Sequence, residues 1–208
     1  MRYRTLVLVG LTPLLASRAL AQNLAPAKST VTATKVITFR PAAPTGPHQR
    51  GNCWTDSIAV DRPGAWRCMV VNSIYDPCFT NPKLKTAVVC DAEPVTNKPG
   101  FVLELTKPLP EPRSKRLPDK LPWLLKLADG STCEVSTGTT AFVNGVTIPY
   151  GCSDSQKCND DGCPYMTGVT EHLKRGKVWI VDKVAFRSTK TGMELLKRET
   201  MPVVAVWQ

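Results

Sequence analysis

Eight cysteines in a chain of 208 residues constrain the fold more than any other feature, because an even number argues for pairing. Four of them, Cys53, Cys68, Cys78 and Cys90, fall in the stretch from Gly51 to Cys90. A disulfide tolerates only about 7 Å between Cα atoms, so each pair dictates which backbone segments meet. The start of the chain supplies the context. Arg2 and Arg4 precede an apolar run from Leu6 to Leu15, and Ala19-Leu20-Ala21 sets small residues three and one before a cut at Gln22. That is the layout of a secretory signal peptide over residues 1–21. The apolar run is shorter than the roughly 20 residues a bilayer span requires. Export places the cysteines in an oxidising compartment, secreted or periplasmic, where disulfides outrank metal ligation and free thiols.

Within the cysteine-rich stretch, Asp61 suits a helix N-cap and Pro63 the first helical turn. Ala65, Cys68, Met69 and Asn72 recur at spacings of three and four, which predicts a short helix from Pro63 to Ile74, stopped by Pro77. Along such a helix Cys68 and Cys78 are held roughly 15 Å apart, too far to bond. The economical pairs are then Cys53 with Cys68 and Cys78 with Cys90. Trp54 and Trp66 are expected to pack over the sulfurs, with sugar stacking as the alternative for either.

The pieces "GNCW", "AWRC" and "NSIYDPCF" in this order and spacing resemble a group of exported, cysteine-rich bacterial proteins to which no activity is attached. The resemblance spans residues 51–207. It implies export and disulfides and transfers no catalytic residue. The pattern has a glycine where this chain has Val71.

The rest of the chain divides by composition. Residues 22–50, rich in Ala, Pro and Thr, read as a flexible linker interrupted by one strand-like piece, Lys35 to Arg40, with His48 facing solvent. Residues 51–208 read as a single disulfide-bonded globular domain in three parts. Residues 51–98 are the cysteine-rich part, 99–122 a proline-dense bridge and 123–208 a strand-rich part. The bridge contains one strand, in "FVLELTKPL", and then a basic tract with Arg113, Lys115, Arg116 and Lys120. In the last part Asp129-Gly130 and Asn144-Gly145 each stand between strand-like runs, the strongest short hairpin signal. Further strands are expected in "KVWIVDKVAF", "GMELLKRE" and "PVVAVW", with Lys177 and Lys183 on the face opposite Val178, Ile180 and Val184. Cys133–Cys152 would staple neighbouring hairpins, and Cys158–Cys163 would close a small clasp. The fold class is mainly β with a short helix: a disulfide-linked antiparallel sheet, closed as a sandwich or a half-barrel.

The loop "CSDSQKCNDDGC" invites two metal readings. Cys152, Cys158 and Cys163 with His172 could surround zinc, but structural zinc sites use tighter cysteine pairs. Asp154, Asp160 and Asp161 are weak calcium candidates whose spacing departs from the twelve-residue calcium loop. No metal and no cofactor is expected. His172 is the sole histidine outside the linker, no GxSxG elbow accompanies it, and "RPGAWR" with its single glycine is no phosphate loop.

Two functions follow. The favoured one is an exported, non-catalytic binding or structural protein of the bacterial envelope. Arg2, Arg4 and Arg18 account for three of the full chain's +10 charges, so the chain from residue 22 carries +7. Such a surplus suits an anionic polymer or protein partner met through Arg113, Lys115, Arg116 and Lys120. No clear nucleic-acid role and no membrane span after cleavage are expected. The alternative is an exported hydrolase using His172 with a loop carboxylate.

Overall fold

A computed structural model describes residues 30–112, 121–155 and 165–208. Among them the chain is all strand, with no helix. Strand β1 (Lys35–Ile37) is followed by β2 (His48–Asp56), β3 (Ala65–Val70), β4 (Ser73–Thr80), β5 (Ala87–Cys90) and β6 (Phe101–Leu105). Strands β2 to β6 pair in order, antiparallel throughout, and β6 returns alongside β2 in parallel to close a small barrel.

The later strands are β7 (Leu124–Leu127), β8 (Thr132–Val135), β9 (Ala141–Val143), β10 (Val146–Ile148), β11 (Tyr150–Cys152), β12 (Met166–Lys174), β13 (Trp179–Thr189) and β14 (Gly192–Trp207). They form a sheet in the order β14-β13-β12-β11-β8-β7, and the end of β14 pairs again with β7. The antiparallel sheet anticipated from turns is therefore present, and it closes as a second barrel rather than a sandwich. "GMELLKRE" and "PVVAVW" belong to one strand, β14, which pairs with β13 from Gly192 to Val203 before crossing to β7.

The predicted helix from Pro63 to Ile74 is instead the β3–β4 hairpin. Trp66, Cys68 and Val70 are buried while Met69 is exposed, so the period that wins is two. The disulfides nonetheless join the expected residues, Cys53–Cys68 and Cys78–Cys90, for a different reason. Cys53 faces Cys68 across β2–β3, and Cys78 faces Cys90 across β4–β5. Cys68 stands opposite Tyr75, and Cys78 opposite Trp66, so register rather than helical rise separates them. Gly51 lets the strands approach: a Cβ there would lie 2.2 Å from the Met69 carbonyl oxygen. Trp66 packs with the sulfurs, but Trp54 is exposed, with the Arg67 guanidinium 5.8 Å from its ring centroid.

Both hairpin expectations in the last part hold. Asn144 (φ 49°) and Gly145 (φ 79°) make the two-residue turn with both φ values positive that joins β9 to β10. Gly130 (φ 91°) ends the turn between β7 and β8. Cys133–Cys152 joins facing residues of β8 and β11. The Cys158–Cys163 clasp lies outside the described residues.

The linker is more ordered than its composition predicts from Thr34 onward. The Thr34 hydroxyl donates to the Val203 carbonyl at 2.6 Å, and β1 pairs in parallel with the end of β14. His48 opens β2 and its Nδ1 lies 2.9 Å from the Glu104 carboxylate. Phe39 then packs against Phe79 of the first barrel and Trp123 of the second, with centroids 5.6 and 6.0 Å away. Around these rings Ala59, Val60 and Ala65 meet Leu124, Ala205 and Trp207 in one apolar cluster, so the barrels share a core.

The three disulfides suit an oxidising, extracytoplasmic setting. Among the described residues no helix is long and apolar enough to cross a membrane.

Candidate functional site

The most concentrated polar chemistry sits at the mouth of the second barrel, on a residue that alternation assigns to the outside. Lys183 lies opposite Val169 on β12 and Glu199 on β14, sharing the inward face with Val181 and Val169 of the core. The other face of β13 is covered too: Val184 and Phe186 pack with Val143 and Ile148 of the β9–β10 hairpin. Apolar residues on both faces blur the alternation, which is why Lys183 reads as solvated in the sequence. Only 4% of it is exposed.

Its ammonium is fully partnered. Lys183 Nζ donates to Asp129 Oδ2 at 2.5 Å, to Asp154 Oδ2 at 2.7 Å and to Ser131 Oγ at 3.0 Å. Asp129, in the β7–β8 turn, also accepts the Ser131 amide at 2.9 Å and hydroxyl at 2.7 Å. Asp154, just after β11, accepts the Thr167 hydroxyl at 2.7 Å. Burial alone would raise both carboxyls, but hydrogen bonds from Lys183, with Ser131 at Asp129 and Thr167 at Asp154, outweigh it and hold them below the ordinary value. Burial would likewise lower the Lys183 ammonium, and its two carboxylate partners outweigh that and hold it higher. The cluster borders an open cleft of about 400 Å³ that Tyr165, Thr167 and Glu199 also line.

This geometry decides what the site can do. A protonated amine is neither a nucleophile nor a base, and carboxylates kept ionised by it do not donate protons. The three groups form a clamp that ties β13 to the β7–β8 turn and to the end of β11. Asp154, one of the calcium candidates, is thus engaged by the ammonium. Asp160 and Asp161, the other calcium candidates, lie outside the described residues. Cys152 is bonded to Cys133, so it is not a zinc thiolate. The sulfurs of Cys68, Cys78 and Cys90 lie within 4.8 Å of one another, but each belongs to a disulfide.

His172 is exposed on β12, where the pairing with β13 shifts register between Val169 and Leu173. Its backbone amide donates to the Thr170 hydroxyl at 3.3 Å, and no carboxylate engages its ring among the described residues. Asp154, the loop carboxylate among the described residues, is committed to Lys183 and Thr167.

Arg113, Lys115, Arg116 and Lys120 lie outside the described residues. The chain leading to them is described, and it forms one wall of a groove of about 390 Å³ on the first barrel. Lys85 and Lys107, both exposed, flank it, and Leu105, Pro108 and Leu109 supply apolar surface. Lys85 precedes β5 and Lys107 follows β6, neighbouring antiparallel strands, which brings the two lysines to one end of the barrel. Spacing in the sequence gives no hint of this, because the residues are far apart along the chain. Comparison with protein-family models, with curated proteins and with solved structures returns no match for the chain.

Proposed function

We propose that the protein is an exported, non-catalytic binding or structural module of the bacterial envelope that docks on an anionic polymer. The observation that carries this reading is the groove between Lys85 and Lys107, which leads in sequence directly into Arg113, Lys115, Arg116 and Lys120. Two ammonium groups over an apolar floor suit a chain of repeated negative charge whose backbone contacts Leu105, Pro108 and Leu109. The surplus of +7 beyond the leader supports the same sign of partner over longer range.

Retention on immobilised polyphosphate tests it. The contact is between solvent-facing charges, so it weakens steeply as the screening length falls from about 10 Å at 0.1 M salt to about 3 Å at 1 M. Lys85→Ala with Lys107→Ala should lower the eluting salt concentration, and adding Arg113→Ala, Lys115→Ala, Arg116→Ala and Lys120→Ala should abolish retention. Retention that is indifferent to salt, or unchanged in the six-fold variant, rejects the proposal.

A further inference from the structure

A second surface, which uses none of the lysine groove, surrounds the tip of the β3–β4 hairpin. Its turn consists of Val71 and Asn72, between the paired Val70 and Ser73. Val71 has φ 54° and is 83% exposed. A left-handed backbone is strained for an L-residue, and a β-branched side chain tolerates it worst. Glycine is the usual occupant of such a position. Two penalties, strain and apolar exposure, therefore meet at one residue. On the same hairpin Met69 and Ile74 face each other across the strands and are 39% and 53% exposed. Strained residues concentrate where a function requires them.

Ile74 also lines a cleft of about 300 Å³ where the barrels meet, with Asp76, Asp91, Glu93, Trp123 and Glu134. Three of its four carboxylates are committed. Asp76 accepts the Ser57 hydroxyl, the Ile58 amide at 3.1 Å and the Arg67 guanidinium at 3.5 Å. Asp91 pairs with Lys98 at 2.6 Å, and Glu93 accepts the amides of Val95 and Thr96 at 2.8 and 2.7 Å. The Glu134 carboxylate has no hydrogen bond or ion pair among the described residues. Burial pushes its carboxyl up, and Glu93 and Asp91 push it further the same way against a smaller opposing pull from Lys98. The Trp123 indole, 2% exposed, lines this cleft as well, and its N–H has no acceptor among the described residues. In a chain of net positive charge the cleft is a local reversal of sign. Its one uncommitted acid forms no ion pair among the described residues, and Lys98, the cation that acts on it at longer range, is already paired with Asp91.

We infer that the hairpin tip and the cleft together dock a segment of a partner protein in which a lysine or arginine adjoins an apolar residue. The cation enters beside Glu134, and the apolar residue covers Met69, Val71 and Ile74. Ile74 belongs to both surfaces and makes them continuous. Charge complementarity selects the basic group, and the apolar ridge selects a peptide over a bare metal ion or a polyamine.

Fluorescence polarisation on the full chain, disulfides intact, with a labelled synthetic peptide of alternating lysine and leucine, tests this. Saturable binding is expected, weakened about tenfold or more by Glu134→Gln and severalfold by Val71→Gly. Val71→Gly should at the same time raise the melting temperature, so its loss of binding cannot come from unfolding. Absence of saturable binding overturns the inference. Equal binding of a lysine–serine or a glutamate–leucine peptide does so as well. Self-association in sedimentation that disappears in Val71→Gly would assign the ridge to a second copy of the chain and also overturn it.

Discussion

The first barrel has sulfur at its centre, where Cys53–Cys68 and Cys78–Cys90 pack with Trp66, Val88 and Leu103. The second has an aliphatic centre of Leu125, Leu127, Val169, Val181 and Val203, one disulfide among the described residues, and a lysine held by two aspartates at its mouth. Both close by strand pairing, so closure does not explain the difference. Strand length does. The strands of the first ring run from 4 to 9 residues, whereas the second combines β13 and β14, of 11 and 16, with β7, β8 and β11 of 3 or 4, and its described disulfide joins two of these short ones. Short strands bury little apolar area, and cross-links offset that by restricting the unfolded chain. Longer strands build enough core to tolerate a buried charge, provided the charge is paired. A polypeptide can thus complete a small barrel with covalent bonds or with packing, and this chain does one of each.

The largest expected effect would test that contrast at the disulfides. Removing a native disulfide from a small exported domain costs about 2–5 kcal/mol. Loop-closure entropy alone ranks Cys133–Cys152 first, because its sequence separation of 19 exceeds the 15 and 12 of the other two. The core contrast ranks Cys78–Cys90 first, since both residues are fully buried in the smaller barrel. Chemical denaturation of the paired Cys→Ala variants decides between them, and a larger loss from Cys133→Ala with Cys152→Ala would break the comparison.

Next comes the clamp. Lys183→Ala should cost about 3–5 kcal/mol, the penalty for breaking a buried ion pair, at the upper end only if water fails to reach the two aspartates. Asp129 and Asp154 side chains keep 30% and 42% of their exposure, so a value near the lower end is expected by the same denaturation assay. Lys183→Met, which keeps the stem, should cost less than Lys183→Ala.

Val71→Gly should act in the opposite direction, stabilising by about 1–2 kcal/mol as the left-handed strain is relieved. A neutral or destabilising result would show that the turn is not strained.

The smallest effect is pH across the neutral range. The carboxyls of Asp129 and Asp154 lie below their ordinary value in the fold, so the stability they add is present above that value and is lost as pH falls through the folded one. Lys183 lies above its ordinary value, so its share is present below that value and is lost as pH rises through the folded one. The clamp therefore contributes fully, and with no pH dependence, to the melting temperature between about pH 4 and pH 10. The alkaline decline assigned to Lys183 should vanish in Lys183→Met.

Parts of the fold were legible before any coordinates. Asn144-Gly145 and Asp129-Gly130 announce their hairpins because only a few residue types accept positive φ there. The three described disulfides join the residues that cysteine spacing suggested, although the helix invoked to separate Cys68 from Cys78 is absent. The spacing of Ala65, Cys68, Met69 and Asn72 mimicked a helical face, while the alternation of Trp66, Cys68 and Val70 carried the true period. Val71 also misled, since a turn without glycine does not look like a turn. The site was less legible than the fold. Lys183 sat on the wrong side of an alternating pattern, and Lys85 and Lys107 carried no pattern at all.

Local chemistry settled this chain's turns, its oxidised cysteines and its strand-forming character, because turns, pairing and alternation depend on residues a few positions apart. The Lys183 clamp, the lysine groove and the cleft at the junction arise only when strands distant in sequence are brought into register. Burial and the company of opposite charges then give ordinary lysines and aspartates properties that no neighbouring residue encodes.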